Sequence, residues 1–174
     1  MIHELLASPE APTFAGVPDF ARLDAVSAIV AALDLDDDQR GELEELVERA
    51  TAGRDDLRDL PMQPLHGDAW LGNVLRTPEG PVWSDFELTC RGPREADIAA
   101  NLSVSRHRGK RPGDDELLEG YGDIDRALVD RVLPIALVPF VAWTFRLAVA
   151  RPEYLTPARE RLALALNDLR ANQR

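Results

Sequence analysis

Asn73 and Asp85 stand twelve residues apart, and the residues between them are arranged so that the chain leaves one and returns to the other. Asn73-Val74-Leu75-Arg76 and Pro81-Val82-Trp83-Ser84 read as two extended runs, joined by the turn formers of Thr77-Pro78-Glu79-Gly80. Facing Cα atoms in such a hairpin lie about 5 Å apart. Asn73 and Asp85 therefore flank its open end, a neutral oxygen beside a charged one. No sustained helical period competes with this reading between Leu65 and Phe86, where short apolar pairs alternate with Gly, Pro, Asp and Asn.

Helical periodicity governs the rest. Phe20, Leu23, Val26, Ile29, Val30 and Leu33 recur at the spacing of one helix face, so Phe20 to Leu33 reads as an amphipathic helix. A second helix begins at Asp36-Asp37-Asp38, whose oxygens cap free N–H groups and whose charge suits a helix N-terminus; Leu43, Leu46, Val47 and Ala50 form its apolar face. Gly92-Pro93 ends the extended region, and Pro93 suits the first turn of a helix carrying Ala96, Ile98, Ala99 and Leu102. Asp114 to Tyr121 makes a short helix, Asp125 caps another running to Leu133, and Pro157 opens a last one ending near Arg170. Gly72 is expected to permit a tight turn before Asn73.

Val132 to Ala150 has the apolarity of a membrane span, but Pro134, Pro139, Thr144 and Arg146 within it indicate a buried, proline-kinked core helix. No membrane partner is expected. A net charge of −11 argues against a nucleic-acid partner, since phosphate backbones are bound by basic surfaces. The one basic run, Arg106-His107-Arg108-Gly109-Lys110-Arg111, reads as a solvated loop. Cys90 is the only cysteine and no signal-peptide pattern opens the chain, which places it in the cytoplasm. His3, His66 and His107 are too scattered for a zinc site. The 174 residues suffice for one domain, residues 1–174, with its own core.

The chemistry lies in the extended segment. His66-Gly67-Asp68 is followed five residues after the aspartate by Asn73, and Asp85-Phe86-Glu87 comes after the hairpin. Protein kinases use the same order: a loop aspartate accepts the substrate hydroxyl proton, an asparagine five residues on holds Mg²⁺, and the aspartate of a later Asp-Phe-Gly holds it too. Asn73 and Asp85 are a hard-oxygen pair suited to Mg²⁺, which takes few protein ligands and leaves room for phosphate oxygens and water. Asp68 is the candidate base, because phosphoryl transfer asks little of a base beyond orienting the hydroxyl and taking its proton. Reading His66, Asp68 and Asp85 as ligands of a metal-dependent phosphoesterase is disfavoured, since no further histidines complete such a set.

Leu65-His66-Gly67-Asp68-Ala69-Trp70-Leu71-Gly72-Asn73-Val74-Leu75 resembles the catalytic loop of the aminoglycoside phosphotransferase family, which has the protein-kinase-like fold and includes choline, homoserine and macrolide kinases. Trp83-Ser84-Asp85-Phe86-Glu87 resembles its metal-binding segment, and Gly92-Pro93-Arg94-Glu95-Ala96-Asp97-Ile98-Ala99 the signature that follows. The resemblance implies Asp68 as catalytic base, Asn73 and Asp85 as magnesium ligands, His66 as a brace for the loop backbone, and Asp97 as a structural tie from its helix to the catalytic loop. It implies a mainly α fold: the helical C-terminal lobe of a kinase-like enzyme, with a small catalytic β-hairpin. ATP or another nucleoside triphosphate with Mg²⁺ is the implied cofactor pair, and a hydroxyl on a small molecule such as an aminoglycoside-like antibiotic the implied acceptor.

The resemblance covers nearly the whole chain but about two-thirds of the family's domain, beginning at a helix around His3-Glu4-Leu5-Leu6. The N-terminal sheet lobe is absent: before His66 there is no glycine-rich phosphate loop, no strand-like run and no lysine. Charge-assisted hydrogen bonds contribute roughly 1.5–3 kcal/mol each, and binding at about 1 mM amounts to only about 4 kcal/mol. An isolated lobe is therefore expected to hold ATP hardly at all, and to leave an apolar patch where adenine would be covered. A separate N-terminal lobe or partner chain would complete the enzyme; the alternative is a non-catalytic, pseudokinase-type binding module.

Overall fold

The computed structural model describes residues 19–108 and 114–172, in which the chain forms two compact units. One takes in the stretch ending at Phe20 and Leu60–Val129; the other is built from Ala21–Asp59 and from Asp130 onward. The helix expected around His3, Lys110 and the end of the basic run lie outside the described residues.

The second unit is helical. Helix α1, Leu23–Ala32, buries Leu23, Val26 and Val30, and helix α2, Asp37–Asp55, buries Leu43, Leu46 and Ala50. These are faces that the three- and four-residue spacing predicts. Asp36 caps α2 through a carboxylate oxygen that accepts from the Gln39 N–H at 2.8 Å. The helix expected over Phe20 to Leu33 starts later than its periodicity suggests. Phe20–Arg22 is a 3-10 turn in which Ala21 and Arg22 have φ of 64° and 45°, and Phe20 belongs to the first unit, where it packs with Gly92 instead of extending the α1 face.

The apolar stretch expected as one kinked helix is two: α5, Arg126–Ala136, and α6, Val138–Ala150. Pro139 at the start of α6 has no N–H to offer the preceding turn, which is the physical reason for the break. By length and composition Arg126–Ala150 is apolar enough to cross a membrane, but Val132, Ile135, Leu137, Val138, Val141 and Ala142 are fully buried core residues. The last helix, α7 (Leu155–Asn172), packs on α6 and α2. There the buried Arg161 donates to Thr144 Oγ1 at 2.7 Å and lies 4.3 Å over the Phe140 ring.

The first unit holds all the β-structure among the described residues, as two antiparallel two-stranded sheets. Strand β1, Gln63–Leu65, pairs with β4, Cys90–Gly92, and β2, Val74–Thr77, pairs with β3, Gly80–Trp83. The hairpin exists where the sequence places it, with a shifted turn. Thr77 and Gly80 are its last rung, leaving the two-residue loop Pro78-Glu79, and Gly80 supplies the φ of 123° that a tight connection demands. Asn73 belongs to a 3-10 turn, Leu71–Asn73, immediately before β2. Helix α3, Glu95–Arg108, buries Ala96, Ile98 and Ala99, and α4 is the short helix Asp114–Tyr121. Because α3 runs to Arg108, the first three residues of the expected basic loop are helical.

The described residues thus form a mainly helical fold with one small β-hairpin and one further two-stranded sheet, as expected of a kinase-like C-terminal lobe. The two elements that matter for chemistry are the loop leaving β1 at Leu65 and the hairpin β2–β3 that this loop enters.

Candidate active site

His66 leaves β1 into the loop with no exposed surface, and both of its ring nitrogens have hydrogen-bond partners. Nδ1 accepts the Asp68 N–H at 3.3 Å, and Nε2 lies 2.8 Å from the carbonyl oxygen of Ser84. A carbonyl only accepts, so Nε2 is the donor of this pair and Nδ1 the acceptor. The ring also packs against Trp83 and Phe86, with centroids 5.2 and 4.5 Å away. Both nitrogens are therefore used within the protein, which removes His66 from any set of metal ligands.

The His66 and Gly67 N–H groups donate at 2.9 and 2.8 Å to the two carboxylate oxygens of Asp97, which α3 carries. Burial pushes the Asp97 carboxyl above its ordinary range, against the downward pull of these two backbone donors. Asp97 thus ties α3 to the loop through the backbone ahead of Asp68.

Asn73 is held just as specifically. Its Nδ2 donates at 2.9 Å to the backbone oxygen of Asp68 and at 2.9 Å to the Asp68 carboxylate oxygen Oδ2. Both neighbours are pure acceptors, so the nitrogen must face Asp68 and the amide cannot be flipped. Oδ1 accepts no hydrogen bond among the described residues. Asp85 follows at the end of the hairpin, exposed and in the left-handed region at φ 64°, ψ 59°. The rung beyond Val74–Trp83 joins Asn73 to Ser84, whose N–H donates to the Asn73 carbonyl at 2.9 Å, so Asp85 lies one residue past Asn73's partner. Asp68 and Asn73 are in direct contact, and Asp85 adjoins them through Ser84.

The donor chemistry suits a hard cation. Among the described residues no group of three or more His, Cys, Asp or Glu could hold a metal ion. An amide oxygen and a carboxylate alone would leave most coordination positions to water or phosphate, the habit of Mg²⁺ and not of zinc.

Two residues that motif spacing does not single out shape this geometry. Gly67 has φ 83°, and a Cβ there would meet the Leu88 carbonyl oxygen at 1.9 Å. Only glycine fits, and a glycine between a histidine and an aspartate is a sequence signal for such a turn. Ser84 is the second: its hydroxyl also donates to the Asn73 carbonyl at 2.9 Å, and the available signal is a hydroxyl next to the aspartate at a strand end. Gly72 sits in the expected tight turn, the 3-10 turn Leu71–Asn73, and what calls for glycine there is space. A Cβ there would lie 2.2 Å from the Trp70 ring, so the missing side chain makes room for an indole.

Apolar surface surrounds the site. Leu75 and Val82 face each other across the hairpin ladder and are 55% and 49% exposed, with Leu71 at 48% and Phe86 at 45%. An open groove of about 520 Å³ is lined by Leu71, Val74, Arg76, Thr77, Gly80 and Pro81.

A loop aspartate is thus bonded to an asparagine at the mouth of a hairpin, and an exposed aspartate follows the return strand. Residues 2–134 match the APH phosphotransferase enzyme family, and the chain belongs to that family. Choline kinase LicA from Streptococcus pneumoniae shares the fold with a TM-score of 0.62 at 14% identity, over 88% of this chain and 56% of that one. LicA in complex with AMP gives a TM-score of 0.63 at 15% identity, over 88% and 55% of the two chains. A choline/ethanolamine kinase family protein from Mesorhizobium loti gives 0.62 at 17% identity, over 97% of this chain and 64% of that one. The chain therefore spans from just over half to under two-thirds of the length of these solved structures. No curated protein matches it.

Proposed function

We propose that this chain is the phosphoryl-transfer lobe of a small-molecule kinase, which moves the terminal phosphoryl group of ATP, or another nucleoside triphosphate, to an alcohol. The observation that carries the reading is the Asn73 amide, whose nitrogen is committed to Asp68 and whose oxygen is left available. Asn73 Oδ1 and the Asp85 carboxylate would hold Mg²⁺, which when bound supplies charge neutralisation for the phosphates. Asp68 orients the acceptor hydroxyl and takes its proton. The Asn73 amide holds the Asp68 carboxylate in place for that task, while His66 and Asp97 brace the backbone on either side of Gly67. Effective positioning of reactants supplies roughly 7–11 kcal/mol in a well-oriented reaction, which is why so many hydrogen bonds converge on one loop.

The nucleotide is proposed to lie against the apolar surface at Leu71, Leu75, Val82 and Phe86, covered by a sheet-rich N-terminal lobe or partner chain. LicA has been solved with AMP, and the relatives named for choline and ethanolamine make small amino alcohols the first acceptors to try. Aminoglycosides and macrolides are the next, and an acidic chain of net charge −11 suits any of these cations.

The test is a coupled assay with Mg-ATP and a panel of choline, ethanolamine, aminoglycosides and macrolides, run on the chain alone and with a sheet-rich lobe added. Phosphorylation is expected with the added lobe, to be abolished by Asp68→Ala with the fold intact, and to be absent from the chain alone. Turnover by Asp68→Ala equal to the parent's would sink the assignment. Binding of Mg-ATP without turnover in any combination would instead favour a pseudokinase-type module.

A further inference from the structure

Three hydrogen bonds meet at Ser84. Its N–H and its hydroxyl both donate to the Asn73 carbonyl oxygen at 2.9 Å, and its own carbonyl accepts from His66 Nε2 at 2.8 Å. An antiparallel ladder continued by one rung accounts for the N–H bond alone. The hydroxyl bond is additional, and it fills the second lone pair of the same carbonyl. The very next residue is Asp85, where the backbone turns into the left-handed region.

We infer that Ser84 is a positioning residue whose hydroxyl clamps the backbone of Asn73 to that of Asp85, fixing the spacing of the two oxygens that take the divalent cation. The inference rests on the proposed reading of Asn73 and Asp85 as ligands and deepens it. Ser84 acts through its neighbours: toward Asn73 by the hydroxyl, toward Asp85 by direct chain connection, and toward Asp68 by way of His66, whose other nitrogen accepts the Asp68 N–H. One N–H bond would leave the rung free to pivot about a single contact. A second donor on the same oxygen opposes that pivot, and with it the drift of the Asp85 carboxylate relative to Asn73 Oδ1. Alanine or valine at this position would keep the ladder bond and lose the clamp.

The experiment uses Mn²⁺ alone as the probe, titrated into the full chain and followed by the electron paramagnetic resonance signal of the free ion. Ser84→Thr and Ser84→Val have nearly the same shape and differ in the hydroxyl, so their comparison isolates it; Ser84→Ala repeats the deletion without added bulk. Thr is expected to bind Mn²⁺ within about twofold of the parent, whereas Val and Ala weaken it roughly tenfold, as loss of a group supporting a metal ligand commonly does. Thermal unfolding midpoints of Thr and Val should agree, which separates the effect from a general loss of stability. Asp85→Asn is the control for the ligand reading. If Asp85→Asn weakens Mn²⁺ binding but Val and Ala bind like Thr, the Ser84 inference is overturned and the ligand assignment survives. If Asp85→Asn binds like the parent, or the parent binds no Mn²⁺, both fall.

Discussion

The side-chain nitrogen of Asn73 bridges two oxygens of Asp68, one from the backbone and one from the carboxylate, each at 2.9 Å. The six residues from Asp68 to Asn73 are closed into a ring by these bonds, and the ring joins the proposed base to a proposed metal ligand. Asn73 is only 8% exposed, so water cannot easily replace what it donates.

Replacing that donor with an acceptor gives a pH-dependent outcome. Asn73→Asp would set two carboxylates against each other, and their repulsion with partial burial would raise the pair's folded-state pKa above the usual value of about 3.9. Raised carboxyl pKa values contribute stability that is present below the unfolded value and lost as pH rises through the folded one. The variant should therefore be less stable than the parent at pH 8 by about 1–3 kcal/mol, with a smaller deficit at pH 4, as measured by urea denaturation.

Gly67 and Gly72 lie five residues apart, and alanine should act differently at each. At Gly67 a Cβ meets the backbone oxygen of Leu88 at 1.9 Å and φ is 83°, so neither neighbour nor dihedral can give. At Gly72 the obstacle is the Trp70 ring, a side chain 38% exposed that can swing outward. Gly67→Ala is expected to destabilise by about 2 kcal/mol or more, and Gly72→Ala by less, with a change in Trp70 fluorescence. Equal melting midpoints for the two variants would contradict the geometry.

Asp85 combines an exposed carboxylate with a left-handed backbone, and three substitutions separate these properties. Asn tolerates φ near 64° at least as well as Asp, Gly adopts it without strain, and Ala does not. Stability by urea denaturation should follow Gly above Asn above Ala, with the extremes about 1–2 kcal/mol apart. All three lack the carboxylate and should bind Mn²⁺ more weakly than the parent.

Glu45 on α2 gives the helical unit its own pH signature. Hydrogen bonds from Arg170 and Arg49 hold its carboxyl at about 2, below the ordinary 4.5; Arg170 Nη2 is 2.7 Å from Oε2 and Arg49 Nε 2.6 Å from Oε1. A lowered carboxyl pKa contributes stability that is present above the unfolded value and lost as pH falls through the folded one. The parent should therefore lose its advantage over Glu45→Gln between pH 4.5 and about 2. The partly exposed pair is screened by salt, so the advantage should shrink at high ionic strength. Thermal unfolding of both chains across that range checks it.

What local sequence determines, it determined here: the apolar faces of α1 and α2, the Asp36 and Asp125 caps, and the hairpin between Asn73 and Asp85 all depend on residues a few positions apart. Periodicity and capping are short-range physics, so they survive without knowledge of the rest of the chain. The same physics misplaced the start of α1, because Phe20 fits the helical period yet packs with Gly92, far along the chain. Only the tertiary structure brought Asp97 to the N–H groups of His66 and Gly67, thirty-one and thirty residues away. It also aimed His66 Nε2 as a donor at the Ser84 carbonyl, turned the Asn73 amide nitrogen toward Asp68, and made Ser84 a junction of three hydrogen bonds. A motif names the residue types that such a site needs, but the direction of a hydrogen bond depends on which acceptor lies opposite, and that is decided when distant segments pack together.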